Sequence, residues 1–487
     1  MDGSPGGART AEREVEDASA SARNGLGARA GAALHTFHPS RVPRMARHNY
    51  RRELIGACFF PFALVLFEGS VLSVLVRIGY EGRVDGALLN AVSAFVGVIP
   101  ALANLSSFFW VRLAHGRHKI QAITRVHAIM LSAAFVMALA PRNTWGVLLT
   151  AGGAITARTC WAGFTTIRST VWRNNYRDGI RAQITGRFAM VGPTLIAFLS
   201  LALGHFMNVS ELTFRVAVPV GCVMGLVGVV AWRGVRVREH RRLMRLERET
   251  ADNEAPSFNP AALVGVLRRD RDYDKFMTAQ LLIGLGNITS FSLLAIVLRE
   301  VFHAEYLRSL IVTTVISLLV MPMVVPFWAR FLDGTHIARF RAVHSWVFVA
   351  AIGVLLVACR TETFWLLYVF AVLRGVAFGG GALGWTLGHL DFAQAHNGST
   401  YMGVHVTLTG VRGLIAWIGG VVLYEGLERV APGSGTWVFA LCGSLTTLGA
   451  LGFVFLSRDL RRRGRMGRRG RRITVADADP GRPGAQG

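Results

Sequence analysis

Lysine is almost absent from this 487-residue chain. Only Lys119 and Lys275 occur, and arginine supplies the rest of the 53 basic side chains. Acidic residues number 29, which leaves a formal net charge of +24. The five cysteines, at positions 58, 160, 222, 359 and 442, are too widely separated to suggest a disulfide framework or a metal cluster. No glycine-rich phosphate fingerprint follows a strand pattern, so nucleotide-driven work would need a separate subunit. Paired acids, His/Asp metal sets and Ser–His arrangements near one face are missing too. The expectation is a chain that is not an enzyme and needs no cofactor or metal. The first residues lack the short apolar core and small-residue cleavage site of a signal peptide.

The chain does have long apolar runs. Twelve of them cover residues 54–80, 86–110, 120–140, 144–171, 188–207 and 215–233, then 275–299, 306–330, 340–359, 363–388, 401–425 and 435–457. A helix needs roughly 20 mostly apolar residues to cross a bilayer. Only helices and closed barrels satisfy every backbone group in lipid. The 52% hydrophobic content agrees. The fold expected is an all-α polytopic membrane protein of twelve transmembrane helices, six on each side of a charged break.

Charge follows the loops. Arginines cluster before the first run (Arg41 to Arg52), after the second (Arg112, Arg117), after the fourth (Arg173 to Arg187), in the central break (Arg233 to Arg271) and after the last (Arg458 to Arg472). The alternate loops are poor in cations. This positive-inside pattern places both termini and the central break in the cytoplasm, in a bacterial-type inner (plasma) membrane. It also accounts for the net charge without a nucleic-acid partner. The organisation expected is a disordered tail over 1–47, a six-helix bundle over 48–233, a linker over 234–274, a second bundle over 275–457 and a basic tail over 458–487. Met45 is a second candidate start. In the last tail, cations near the surface would each gain about 1 kcal/mol from anionic lipid headgroups. Nothing in the pattern asks for more than a monomer.

The halves are related. Phe109-Trp-Val-Arg-Leu-Ala-His-Gly-Arg-His118 matches Phe327-Trp-Ala-Arg-Phe-Leu-Asp-Gly-Thr-His336 at five of ten positions without a gap. At nearly the same offset His127 falls opposite His344, Arg158 opposite Arg374 and Gly163 opposite Gly379. Because span parity is kept, the two bundles should be related by a pseudo-two-fold axis along the membrane normal.

On these features the chain resembles the major facilitator superfamily, over roughly residues 48–458. The family's loop after the second span has a small residue, an aspartate four positions later, then basic residues. The second-half copy keeps Ala329, Asp333, Arg339 and Arg341, with Gly334 where arginine is usual. The first-half copy has His115 in place of the aspartate, followed by Arg117 and Lys119. The segment Asn175 to Gly186 resembles the family's Arg-Gly stretch before the fifth span, with Ala182 where glycine is usual. The resemblance implies a cytoplasmic gate formed by Arg112, His115, Gly116, Arg181, Arg330, Asp333 and Gly334, with His115 weakening its first-half latch.

Polar residues deep in apolar runs mark the candidate site. A charge at mid-bilayer costs from about 2.5 kcal/mol upward, so it normally faces a partner or a wet cavity. Glu68, Arg158, Arg374 and Arg412 lie well inside spans one, four, ten and eleven. Asn287 sits mid-span in the seventh, at about the repeat position of Glu68. The family resemblance directs spans one, four, seven and ten to a central cavity. One carboxylate against three guanidiniums favours an anionic ligand, and a lone membrane carboxylate suits proton coupling. The function expected is secondary active transport of a small organic anion or anionic amphiphile by alternating access, with Glu68 as the proton or gating group. The alternative is a non-transporting protein of the same fold, such as a receptor, assembly factor or lipid flippase. Trp161, Tyr368, Trp385 and Trp417 lie near the same depth. His127, His344 and His405 are expected near the cytoplasmic interface.

Overall fold

The computed structural model describes residues 36–209, 213–249, 261–305, 308–309, 311–394 and 396–466. Its first span is a broken helix: α1 (Arg47–Leu64), a 3-10 turn (Val65–Phe67) and α2 (Gly69–Tyr80). The second span is α3 (Gly86–Leu105) continued by α4 (Ser107–Ala114). Spans three to six are α5 (Lys119–Ala138), α6 (Thr144–Asn175), α7 (Asp178–Val209) and α8 (Thr213–Arg233). Two short helices, α9 (His240–Arg248) and α10 (Ala261–Arg269), occupy the central break. The second set is α11 (Arg271–Glu300), α12 (Ile316–Asp333, entered through a π-helical turn Ile311–Val315), α13 (Ile337–Thr361), α14 (Trp365–Leu387), α15 (Gly398–Val430) and α16 (Val438–Arg462). Twelve spans thus form two bundles of six.

Local chemistry sets many of these starts. An Asp, Asn or His side chain accepts a first-turn N–H and satisfies a donor the helix cannot use itself. Asp85 takes Leu88 at 3.0 Å, Asn143 takes Gly146 at 3.1 Å and Asp270 takes Tyr273 at 3.0 Å. The duplication repeats the device. His118 caps α5 through the Gln121 N–H, and His336 caps α13 through that of Ala338.

Ten of the described helical stretches are long and apolar enough to cross a membrane on composition alone. The two other spans carry chemistry instead. Span one is cut at Glu68, whose backbone is extended (φ −71°, ψ 125°). Span four, α6, is diluted by Arg158, Arg168, Arg173 and several threonines.

Each half has its own apolar core. One gathers residues of α1 to α8 around Phe67, Met130 and Phe164; the other gathers α11, α13, α14 and α16 around Leu355, Phe370 and Phe439. The halves meet where α7 packs on α12 and where α3, α4 and α6 pack on α15. Glycine permits the closest of these approaches. A Cβ at Gly410 of α15 would lie 2.6 Å from the Ala101 carbonyl oxygen of α3.

The termini depart from expectation. The described residues 36–51 belong to a compact unit of their own. The tail expected to be disordered through residue 47 instead contains 3-10 turns at Pro39–Arg41 and Arg44–Ala46. Arg47 donates to the Val42 carbonyl at 3.0 Å and the Tyr50 hydroxyl to that of Phe37 at 2.7 Å. These side-chain bonds fix a segment that composition alone marks as unstructured; residues 1–35 lie outside the described part. At the other end α16 runs past residue 457. Arg463 and Arg465 both pair with Asp272 at the start of α11, the first at 2.6 Å. The beginning of the basic tail is therefore bound to protein, and residues 467–487 lie outside the described part.

Candidate functional site

A cavity of about 720 Å³ lies between the two bundles. Glu68, Arg158, Asn287, Arg374 and Arg412 all line it, so five residues scattered over 344 positions reach one space. Glu68 stands where α2 begins, and its carbonyl accepts the Leu72 N–H at 2.8 Å. A carboxylate is favoured there by the positive end of the helix. Its Oε2 accepts from Arg158 Nη1 of α6 at 3.1 Å, with both side chains partly open to the cavity.

The second-half arginines are held differently. Arg374 of α14 donates to the Thr313 carbonyl in the π-helical turn at 2.8 Å. Its guanidinium lies 4.0 Å from the Phe291 ring centroid and 4.8 Å from that of Phe378. Arg412 of α15 donates to the Gln280 carbonyl of α11 at 2.9 Å. Gly284 makes this possible, because a Cβ there would meet the Arg412 guanidinium.

Three further charged residues line the cavity that the sequence reading did not select: Glu53, Arg168 and Arg341. Glu53 of α1 accepts from Trp172 Nε1 and, at 2.8 Å, from the Tyr176 hydroxyl. Arg168 lies over the rings of Phe164 and Trp172, within electrostatic reach of Glu53. Arg341, expected only among the basic residues after the gate loop, is buried, contacts His344 Nδ1 at 3.4 Å and packs on Gly384. The lining thus sets two carboxylates against five guanidiniums. Among the aromatics, Trp161 and Trp385 line the space, while Tyr368 and Trp417 are exposed on the outer surface instead.

The histidines expected near the cytoplasmic interface lie in the protein interior. His127, His344 and His405 are completely buried, because the helices carrying them are covered on that side by aromatic side chains. His127 sits between Phe60 and Phe164, each with centroids 4.4 Å away. His344 contacts the Ala377 carbonyl oxygen at 2.8 Å, and His405 stands against Trp385.

At the arginine-rich end, hydrogen bonds join the halves. Ser107 donates to the Gly403 carbonyl at 2.8 Å, Thr170 pairs with Ser399, and Arg173 donates to the Leu390 carbonyl at 2.6 Å. Asp333 completes this layer. Its two oxygens accept the N–H groups of Ala182 and Gln183 in α7 at 2.8 and 3.0 Å. The expected gate is therefore only partly assembled. Arg181 stands beside Asp333 but spends its hydrogen bonds on Tyr176, Arg173 and Asp178, bracing the turn into α7. Arg112 and Arg330 point outward and are exposed. Gly334 ends α12 in ordinary helical geometry (φ −90°), which any residue could adopt.

The first-half loop is served by the linker. Gly116 has φ +64°, a conformation that favours glycine. Its N–H donates at 2.7 Å to Glu247 of α9, which also pairs with Lys119 Nζ at 2.6 Å. Arg248 Nε donates to the Gly116 carbonyl at 3.2 Å. His115 lies beside this group, and burial pulls its imidazole below the usual range, against the opposing pull of Glu247. Among the described residues no set of three or more His, Cys, Asp or Glu side chains is placed to hold a metal ion.

No protein-family profile matches the chain, and no curated protein matches it in sequence. Solved structures do match in fold. The proton:xylose symporter XylE superimposes with a TM-score of 0.59 at 12% identity, covering 83% of this chain and 94% of that one. A bacterial homologue of the iron transporter ferroportin, in its outward-facing state, gives 0.61 at 12%, covering 85% and 100%. The human organic anion transporter MFSD10 gives 0.58 at 12%, covering 85% and 100%. At this identity the likeness establishes the fold, which is that of the major facilitator superfamily.

Proposed function

We propose that this chain is a secondary active transporter that moves a small organic anion, or an anionic amphiphile, by alternating access and with proton coupling. The observation that carries the reading is the cavity between the bundles, where two carboxylates face five guanidiniums among aromatic walls. Arginine presents a planar fork suited to carboxylate or phosphate, and a confined site strengthens that attraction over water. The fold supports transport, since all three similar structures named above are described as transporters or homologues of them; one is described as an organic anion transporter.

In this reading Glu68 is the proton or gating carboxylate. Protonation would release Arg158 from it, and an arriving anion would compete for the same guanidinium. The layer of hydrogen bonds around Asp333 would be the gate that breaks when the bundles rock about the cavity. The arginine-rich end, with both termini, faces the cytoplasm. The test is a thermal-shift screen of the purified protein against matched anionic, neutral and cationic small molecules. Stabilisation by members of the anionic set supports the reading; stabilisation confined to the neutral or cationic sets contradicts it.

A further inference from the structure

The charge on the cavity wall is divided unevenly between the two halves. The first half contributes Glu53, Glu68, Arg158 and Arg168. Each of these guanidiniums has a carboxylate: Arg158 touches Glu68 at 3.1 Å, and Arg168 lies within electrostatic reach of Glu53. The second half contributes Arg341, Arg374 and Arg412, and among the described residues no acid from that half lines the cavity.

The internal duplication makes the contrast sharper. Arg158 and Arg374 are matched in the repeat, and Asn287 lies at about the repeat position of Glu68. One copy is an ion pair. In the other an amide replaces the carboxylate, and the guanidinium is left with a carbonyl and two phenyl faces. Among the described residues Arg412 likewise bonds only the Gln280 carbonyl, and Arg341 has the ring nitrogen of His344 and, 5.9 Å away, the Phe453 ring. Arg341 also lies within electrostatic reach of Arg412, a like charge. Among the described residues the Nε of all three is buried without a hydrogen-bond partner, as is that of Arg168, so the contrast between the halves rests on the carboxylates. A carbonyl dipole or an aromatic face offsets part of a buried charge but does not neutralise it.

We propose that the ligand carries at least two negative groups on an apolar or aromatic body, and that the second half of the chain holds them through Arg341, Arg374 and Arg412. A monoanion would leave two of these buried cations unmatched; a dianion leaves one. The first half, already balanced, contributes walls such as Trp161 and Phe164 and the titratable pair. This assignment rests on the anion-transport reading and adds to it the valence of the ligand and the half that binds it.

The test uses the full chain in nanodiscs of zwitterionic lipid, with calorimetric titration of two matched pairs: benzoate against isophthalate, and hexanoate against adipate. The dianion of each pair is expected to bind at least about tenfold more tightly, the size of one added charge-assisted hydrogen bond. Arg374→Gln should reduce that preference to within about threefold, Arg374→Lys should restore part of it, and Arg158→Gln, which removes a guanidinium open to either probe, should weaken monoanion and dianion alike. Equal affinity for monoanion and dianion in the unmodified protein would overturn the inference while leaving anion binding intact. A preference that survives Arg374→Gln but disappears with Arg158→Gln would place the charge on the wrong half and overturn it too. Failure of monodisperse protein to bind any of the four probes would remove the anion reading and this inference together.

Discussion

Lys119 Nζ and the Glu247 carboxylate lie 2.6 Å apart, both fully buried, although 128 residues separate them in the chain. The same carboxylate takes the Gly116 N–H at 2.7 Å. The first-half loop has a histidine at 115 where its second-half copy has Asp333. The linker helix α9 brings a carboxylate to that loop from outside it.

This pairing predicts a steep asymmetry between single and double substitutions. Glu247→Gln leaves a buried ammonium with only neutral acceptors, the amide oxygen and the Ala114 carbonyl, and no counter-charge. Removing one partner of a buried pair typically costs about 3–5 kcal/mol, whereas replacing both with apolar groups of similar volume is often neutral. In fluorescence-detected size-exclusion melts, Glu247→Gln should therefore lower the melting temperature sharply. Lys119→Met combined with Glu247→Leu should recover most of the loss. A Glu247→Gln protein that melts like the unmodified one would contradict the assignment.

Asp333 makes the second prediction. Its contacts cross between the halves, while His115 sits beside the linker and its own loop. Asp333→Asn should loosen the arginine-rich end and expose the cavity there. The readout is thiol labelling of a cysteine placed at the cavity residue Ala189, with reagent added from that side. Labelling should rise with Asp333→Asn and change little with His115→Asn. Equal increases would mean that the two loops act alike.

Orientation is tested independently of the gate. Reporter fusions after Ser457, and within residues 251–256, should both read cytoplasmic, because arginine-rich flanks accompany each position. Either site on the far face would break the topology.

The spans and the five central polar residues were legible in the sequence because a charge inside a long apolar run stands out. Arg168, Arg341 and Glu53 were missed for one reason. Each lies at the very end of its apolar run or just outside it, a few residues from an arginine cluster, so linear position placed it at the membrane edge. The helices run further than their apolar stretches: α6 extends to Asn175 and α13 starts at Ile337, carrying Arg168 and Arg341 on helix to the cavity. The break at Glu68 is marked only by the single Gly69 that follows it inside an apolar run, and the Glu247–Lys119 pairing leaves no periodic trace at all. The duplication was visible, but its register shifts in packing. Gly163 receives the Trp110 ring, and in the second half Trp328 lies closer to Gly380 than to Gly379.

The Glu68–Arg158 pair separates a structural role from a functional one. Both side chains are partly exposed, 32% and 20%, so the pair should contribute about 1 kcal/mol or less to stability. Glu68→Gln and Arg158→Gln should each fold and express near normal levels. Glu68→Gln should lose dependence of transport on the proton gradient while keeping binding or exchange. Strong destabilisation by each single change, rescued in the double mutant, would make the pair a structural brace.

The most direct measurement is uptake of an anion identified in the stabilisation screen, by proteoliposomes carrying the unmodified protein or Arg374→Gln. Loss of a charge-assisted hydrogen bond of about 1.5–3 kcal/mol corresponds to roughly tenfold to a hundredfold in affinity. Folded Arg374→Gln protein should therefore show transport that is abolished or reduced at least about tenfold at subsaturating anion. Uptake by Arg374→Gln equal to that of the unmodified protein would contradict an anion site in this cavity.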